Sequence, residues 1–484
     1  MTKKDSPDEY TGRQRKLSAL GELNVPLWPN AYVRDATHQE LQKKYSCLEN
    51  GQTTTDRACV AGRMISMRNS GRFIDLRDAS GKLQLFSHPD KLDARSQKIL
   101  EQLDLGDWIG VSGCMRKTPR GEVTLDVESI TFLSKCFHPL PDKYHGMQDP
   151  DARYRQRYVD FIANEHARDT LRKRAQILRS FRMLLEEAGF MEVETPMLHP
   201  IAGGAIAKPF VTHHNSLHTD LFLRIAPELY LKRLIVGGIS DKIFEINRCF
   251  RNEGLSPRHN PEFTTLELYQ AYVGGDAMMD ITEHLVRETT RSLYGHTHVT
   301  YQGTEIDFCA PWPRKTMAEL VFDATGVDWN TIQSDQDARD HAKTLKIDVP
   351  AHAGWGRALE AVFAERVESN LIQPIHVTGF PKEISPLAKA DPENPNLTER
   401  FETYVNGWEI ANGFSELNDP VEQRARFLEQ LKDHSAGEEE THAMDEDFIT
   451  ALEYGMPPTG GLGIGIDRLT MLLTDAPTIR DVIA

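Results

Sequence analysis

The 484-residue sequence predicts an α+β protein, a small five-stranded β-barrel followed by a larger antiparallel sheet flanked by helices. Three observations carry that prediction. Five short alternating runs lie between residues 58 and 132, separated by glycine and polar turns, with one helical stretch before the fourth. Residues 242–250 and 262–269 alternate as strands on either side of a polar loop. From 242 onward, strands alternate with helices less regularly than a doubly wound parallel sheet requires.

Taken in order, residues 1–57 read as a polar, partly frayed extension ending in a helix at 39–45. Strands follow at 59–66, 73–77, 82–86, 108–115 and 123–132, with Asp78-Ala79-Ser80-Gly81 as one of the turns and a helix at 94–103. That pattern suits a barrel of the OB type, bounded at 58–138. Pro139 and Pro141 close it, a polar linker occupies 139–160, and the larger domain takes 161–484. The first helix of that domain, 167–188, has Leu171, Ala175, Leu178 and Leu185 at helical spacing. Gly189 stops it, and a strand at 191–195 runs to Pro196. Helices at 317–324, 336–345 and 358–368 read as an insertion over about 315–400. The acidic run 437–440 is a solvated patch.

The formal charge of −16 argues against a nucleic-acid partner, but it is unevenly spread. Residues 1–145 hold 22 Lys and Arg against 19 Asp and Glu, and the remainder 34 against 53. The barrel end is therefore the better place for a polyanion. Six cysteines, none in a Cys-x-x-Cys pair, exclude a zinc site or disulfide framework of the usual spacing and fit a reducing cytoplasm. The polar start lacks the apolar stretch of a secretory signal, and no run of ~18 apolar residues is present to span a membrane.

Chemistry concentrates in two stretches. Phe250-Arg251-Asn252-Glu253-Gly254, with Arg258-His259-Asn260-Pro261-Glu262-Phe263, places cations and an aromatic ring in one loop between strands. Such groups hold a polyphosphate and a purine; by itself the stretch reads equally as a solvated hairpin tip. Gly460-Gly461-Leu462-Gly463-Ile464-Gly465-Ile466-Asp467-Arg468 runs from a glycine-rich strand into an apolar helix. Its small residues admit close approach of backbone to a ligand, or only tight packing. Together the two stretches resemble motifs 2 and 3 of the class II aminoacyl-tRNA synthetases. Gly189 to Pro196 resembles motif 1. Ala202-Gly203-Gly204, Pro227 to Arg233 and Asn412 to Asn418 look like the lysyl members, and the similarity runs from Ala61 to Val482.

The Asn406-Gly407 pair between β-prone residues signals a two-residue hairpin turn. Val405 then faces Trp408, Tyr404 faces Glu409, and Glu402 faces Ala411. Glu402 and Glu409 fall on one sheet face, ~7–8 Å apart at Cα, an arrangement that a cation between them would relieve; two exposed surface acids are the alternative. The resemblance implies that they ligate Mg²⁺ with ATP as substrate. The same count puts Asn412, Phe414 and Glu416 on the opposite face, and a bulge near Gly413 would restore them. Parity also groups Phe263, Thr265, Glu267 and Tyr269.

The resemblance implies further roles. Arg251 and Arg468 are the catalytic cations, and ATP is held by these two with Glu253, His259, Asn260 and Phe263. Lysine is held by Gly204, Glu228, Glu267, Tyr269, Asn412, Phe414 and Glu416. Arg63, Phe73 and Gln84 read the anticodon of tRNA(Lys), although Phe73 also suits a core position and the hairpin before it is shorter than usual. The helix and strand of motif 1 form a homodimer. Three departures stand out: Ala411 replaces a usual glycine, crowding the substrate by one carbon, while Ile206 and Trp408 replace smaller or polar residues. The chain also stops at Ala484, short of the residues that usually follow, which points to a truncated or weakened last turn.

The expected activity is therefore ATP-dependent formation of lysyl-adenylate and transfer of the lysyl group to tRNA(Lys) in the cytoplasm. Ala411 resembles paralogues that attach β-lysine to an elongation factor, but those lack an anticodon-binding barrel. A non-catalytic RNA-binding paralogue would have lost Arg251, Arg468, Glu402 or Glu409, and all four are present.

Overall fold

The computed structural model describes residues 7–141, 147, 149–205, 207–435 and 444–484, side chains excepted at 7 and 432–435. Ile206, the acidic run 437–440 and part of the predicted linker lie outside them. Packing divides the chain into two compact units, residues 1–165 and 166–484.

In the first unit, strands Thr53–Arg68, Phe73–Arg77, Lys82–Ser87, Val123–Ser134 and Trp108–Lys117 close in that order into a barrel. Alternation buries Val60, Met64, Ile74, Leu76, Leu83, Leu85, Val111 and Leu125 inside. The helix before the fourth strand is Ala94–Gln102, started by Asp93, whose side chain accepts from the Ser96 amide. Thr37 and Glu40 form a capping box that starts helix His38–Tyr45.

Two expectations need correction here. The extension holds a helix the sequence reading did not expect, Pro7–Glu22, with Leu20 fully buried. Arg13 Nη1 donates to the Leu105 and Cys136 carbonyls at 3.0 and 2.8 Å, and Lys16 pairs with Asp104 at 2.6 Å. These long-range partners outweigh the polar composition. The linker stretch also contains two short helices, Pro150–Arg155 and Arg157–Ala163, tied by Arg153 and Arg157 to the buried Asp160.

The second unit is built on eight strands in the order Arg314–Thr316, Ile375–Pro381, Leu397–Val405, Trp408–Ser415, Thr459–Gly465, Glu262–Ala271, Lys242–Phe250 and Met191–Glu192. Only the two outermost pairs are parallel. Helices Glu165–Glu187, Gly275–Tyr294 and Ile466–Thr474 cover one face, and Ile177, Phe181, Phe244, Leu266, Leu285, Phe401 and Leu472 form its core. The buried stripe of the first helix is Thr170, Ile177, Phe181 and Leu185. Of the predicted stripe, Ala175 is exposed, because the helix presents the neighbouring face to the sheet.

Helices Met317–Thr325, Asp335–Thr344 and Trp355–Arg366 pack around Trp329 as a separate cluster. The insertion is shorter than 315–400, since Ile375–Pro381 is already a strand of the main sheet. Among the described residues no helix is long and apolar enough to cross a membrane.

Candidate active site

A cavity of about 390 Å³ opens on the sheet face away from the main core. Its floor follows from a repeat of glycines. On strand Thr459–Gly465, Gly461, Gly463 and Gly465 stand opposite Tyr269, Glu267 and Thr265 of the neighbouring strand. Alternation turns all six toward the cavity, and the missing side chains leave the space. A Cβ on Gly461 would overlap Glu416 Oε1 and come within 2.7 Å of Tyr269 Cε1.

One wall is the hairpin. Asn406 and Gly407 take φ of 53° and 68°, the left-handed pair that a tight two-residue turn requires. Val405 faces Trp408 and Tyr404 faces Glu409, as the spacing predicts. The register then shifts: Thr403 faces Ala411 and Glu402 faces Asn412, leaving Ile410 as the extra residue. The bulge thus lies at Ile410 and not near Gly413. It returns Asn412, Phe414 and Glu416 to the face of Glu402 and Glu409, and all five line the cavity. It also moves Ala411 away from Glu402. Ala411 points into the main core and meets the cavity through its backbone, so its methyl does not crowd a substrate.

The cavity differs in charge from end to end. At one end Arg251 lies with its guanidinium 5.0 Å from the Phe263 ring centroid, and its Nε has no hydrogen-bond partner among the described residues. Arg468, in the first turn of helix Ile466–Thr474, donates to the Glu409 carbonyl at 2.7 Å and meets His259 Nε2 at 2.9 Å. Arginine cannot accept, so Nε2 is the bare nitrogen of a neutral imidazole. Burial, then Arg468, Arg258 and Arg251, hold the His259 pKa below its usual value. The preceding Asp467 accepts from the Thr264 amide at 2.7 Å and pairs with Arg174, anchoring the start of that helix.

Glu402 receives Arg400 Nη2 on Oε1 and the Tyr404 hydroxyl on Oε2, each at 2.6 Å. Burial raises its pKa to about 7, Arg400 opposes that, and Glu409 adds to it. Two hard carboxylates on one face, one of them pushed toward neutrality, suit a divalent cation that also takes phosphate oxygens. Among the described residues no group of three or more His, Cys, Asp or Glu could hold a metal ion without such outside ligands.

The far end is acidic. Glu228, Glu267 and Glu416 are buried there beside Tyr269, whose hydroxyl donates to Glu267 Oε2 at 3.3 Å. Burial, with Glu228 and Glu245, pushes Glu267 up to about 8. Burial likewise pushes Glu416 well above the usual carboxyl range, with Lys232 pulling it back. Gly204 takes φ of 90° at the cavity edge, packed against Ala226 and Glu228.

The cavity therefore brings together Gly204, Glu228, Arg251, Glu253, His259, Asn260, Phe263, Glu267, Tyr269, Glu402, Glu409, Asn412, Phe414, Glu416 and Arg468. Of these, Asn260 serves its own loop, donating to the Glu262 carbonyl at 2.7 Å. Sequence reasoning missed Arg400, Asp467 and the loop from Ile384 to Ala388. Arg400 was open to the parity argument, standing two residues before Glu402; the loop carries no local signal.

On the barrel, Phe73 packs 4.9 Å from Phe86, and Gln84 donates to Thr124 Oγ1 at 2.9 Å. Arg63 stands apart from them: it faces Arg77, donates to the Gly106 carbonyl at 3.0 Å and lies 4.8 Å from the Trp108 ring. Arg68 instead is the cross-strand partner of Phe73 and reaches Gln84 Oε1 at 3.4 Å.

Comparison with known proteins agrees with this architecture. Residues 149–484 match the family model for tRNA synthetases class II (D, K and N), and residues 58–133 match an OB-fold nucleic acid binding domain. The lysine–tRNA ligase of Sinorhizobium medicae (strain WSM419) is 50% identical over 478 residues, 99% of this chain and 96% of that protein. The lysine–tRNA ligase of Carboxydothermus hydrogenoformans (strain ATCC BAA-161 / DSM 6008 / Z-2901) is 50% identical over 474 residues, 97% and 96% of the two chains. Likeness of that extent, across both units, leaves one assignment: the chain belongs to the class II tRNA synthetases (D, K and N).

Proposed function

We infer that this protein activates L-lysine with ATP and transfers the lysyl group to tRNA. The observation that carries the reading is the single cavity with cations and an aromatic ring at one end, carboxylates at the other, and a glycine floor between. The relatives named lysine–tRNA ligase support it.

In the first step a lysine carboxylate oxygen attacks the α-phosphorus of ATP, a new P–O bond forms, and pyrophosphate leaves. In the second, the terminal ribose hydroxyl of tRNA attacks the lysyl carbonyl carbon and AMP departs. Arg251 meets the carboxylate and α-phosphate, and Phe263 with Arg468 holds adenine. His259, neutral, faces the distal phosphates. Glu402 and Glu409 would hold Mg²⁺, which when bound neutralises phosphate charge. Glu228 and the Gly204 backbone take the α-amino group, while Glu416 and Tyr269 take the ε-ammonium with Glu267 near. Catalysis on this scheme is positioning and charge stabilisation with no protein nucleophile. ATP–pyrophosphate exchange with L-lysine, β-lysine and asparagine, followed by charging of total tRNA, tests it. Exchange that prefers β-lysine or asparagine over L-lysine would overturn it.

The acidic end predicts a pH dependence. Glu267, pushed up to about 8, is protonated in the empty site at pH 7, and a bound ammonium favours its ionised form. Lysine binding should therefore release a proton below pH 8. Affinity should tighten by up to about tenfold per pH unit as pH rises toward about 8 and flatten above it. Calorimetry in buffers of different ionisation enthalpy reads the proton directly; affinity that weakens as pH rises would contradict the assignment.

The barrel surface formed by Arg68, Phe73 and Gln84 is the proposed anticodon reader, with Arg68 preferred to Arg63. Phe73→Ala should raise the tRNA KM about 10-fold or more and leave pyrophosphate exchange unchanged, since stacking one base is worth ~1–3 kcal/mol. Arg68→Ala should do the same and Arg63→Ala should do less; the reverse order would restore the original assignment. The motif 1 helix, whose Ala175 and Met183 are exposed, is the proposed homodimer surface. The six unpaired cysteines fit a cytoplasmic setting.

A further inference from the structure

The acidic end of the cavity holds a cation that no substrate supplies. Lys232 stands one turn after Glu228 on helix Glu228–Val236 and is fully buried. Its Nζ lies 2.5 Å from Glu228 Oε1 and pairs also with Glu416 Oε2. The same ammonium sits 5.3 Å from the centroid of the Phe414 ring. It thus grips three side chains assigned above to the amino acid, yet it does not itself line the cavity.

A buried ion cluster can be plain architecture. Two features argue for more. First, a single cation serves several buried acids. Facing Lys232 are Glu228 on its own helix and Glu416 beyond the hairpin; Glu267 and Tyr269 stand near these on the central strand, and helix Glu446–Glu453 presents the Phe448 ring at 6.0 Å. Arg224, the next cation, is committed to Glu245 at 2.7 Å. One ammonium therefore contacts two carboxyl groups directly and has a third close by. Second, neither oxygen of Glu416 has a hydrogen-bond partner among the described residues: Oε2 has its ion pair with Lys232, and Oε1 lies over Gly461, at the cavity floor. One oxygen is tethered and the other is left for a ligand.

We propose that Lys232 is a positioning residue for amino-acid selection: it fixes one oxygen each of Glu228 and Glu416, so that their other oxygens meet the ammonium groups of the substrate. The proposal rests on the reading of Glu228 and Glu416 as lysine ligands. A cationic amino acid favours the ionised form of the carboxyls that burial pushes up, and an uncharged isostere of lysine does not, which explains how the isostere is turned away. Burial alone would lower the Lys232 ammonium, but the two carboxylates outweigh it and raise it, so the charge is permanent at neutral pH.

The test is calorimetric titration of L-lysine and of ATP into the full chain, the Lys232→Met variant and the Glu416→Gln variant, from pH 6.5 to 9. For Lys232→Met the lysine Kd at pH 7 should rise about 100-fold and recover about 10-fold or more by pH 9, as the Glu416 carboxyl loses its proton without help. The ATP Kd should stay within about threefold. Loss shared equally by lysine and ATP with no pH slope, or unchanged lysine affinity, overturns the proposal. Glu416→Gln should abolish lysine binding across the range; ordinary binding there would instead remove the underlying pocket assignment, and the role of Lys232 with it. Should Lys232→Met not fold, ¹³Cε-lysine labelling of the unaltered protein decides. A protected ε-carbon that keeps its ammonium shift to above about pH 10 supports the proposal, and a free-amine shift at pH 8 overturns it.

Discussion

Arg251→Ala is expected to reduce lysine-dependent ATP–pyrophosphate exchange by about 10³-fold or more, with a smaller change in lysine affinity. Arg251 follows strand Lys242–Phe250 directly, and its amide donates to the Pro261 carbonyl at 2.9 Å. The backbone there is fixed, while the guanidinium Nε is left without a partner among the described residues. A donor held in place but unsatisfied is suited to an anion. As the α-phosphorus is attacked, charge grows on its non-bridging oxygens, and a fixed fork stabilises that growth without reorganising. Arg251→Lys keeps the charge but not the fork, so it should recover only part of the rate. Near-normal exchange by the alanine variant would refute the role of Arg251.

Gly461→Ala should raise the lysine Kd by about 100-fold or more while ATP binding changes little. The new methyl would overlap Glu416 Oε1 and approach Tyr269, and both side chains are almost fully buried. Neither can swing aside, so the ligand position itself is lost. Gly463→Ala is the internal comparison. Its methyl would meet the Asn412 carbonyl and Glu267 Cγ at 3.7 and 3.8 Å, ordinary contact distances, so the fold should accept it and only the space above the floor shrinks. Equal lysine affinity in the Gly461 variant and the parent protein would show that this end of the cavity does not receive the side chain.

Much of this was legible before any coordinates. Strand alternation located Phe263, Thr265, Glu267 and Tyr269 on one face, and Asn406-Gly407 located the turn. The helices expected at 39–45 and 317–324 are His38–Tyr45 and Met317–Thr325. The misplaced features are those that local sequence cannot encode. A bulge moves register by one residue without a required residue type, so it was placed near Gly413, while the structure has it at Ile410. The error misdirected Ala411, whose methyl belongs to the core. Arg68, the cross-strand partner of Phe73, was not singled out, since the register shift between Met64 and Ser66 that brings it there has no local signal. The helix Pro7–Glu22 is stabilised by contacts about ninety residues and more away, such as Arg13 to Leu105. A composition argument has no access to such contacts.

The surplus residue at Ile410 makes the hairpin a counted device. Before it, the chain presents Glu409 to the cavity; beyond it, the chain presents Asn412, Phe414 and Glu416 to the same cavity. Shortening the segment between turn and Asn412 by one would flip every later side chain, sending Phe414 and Glu416 inward and Ala411 and Gly413 outward. Evolution can vary the chemistry along this strand freely only if it leaves the arithmetic of its length alone.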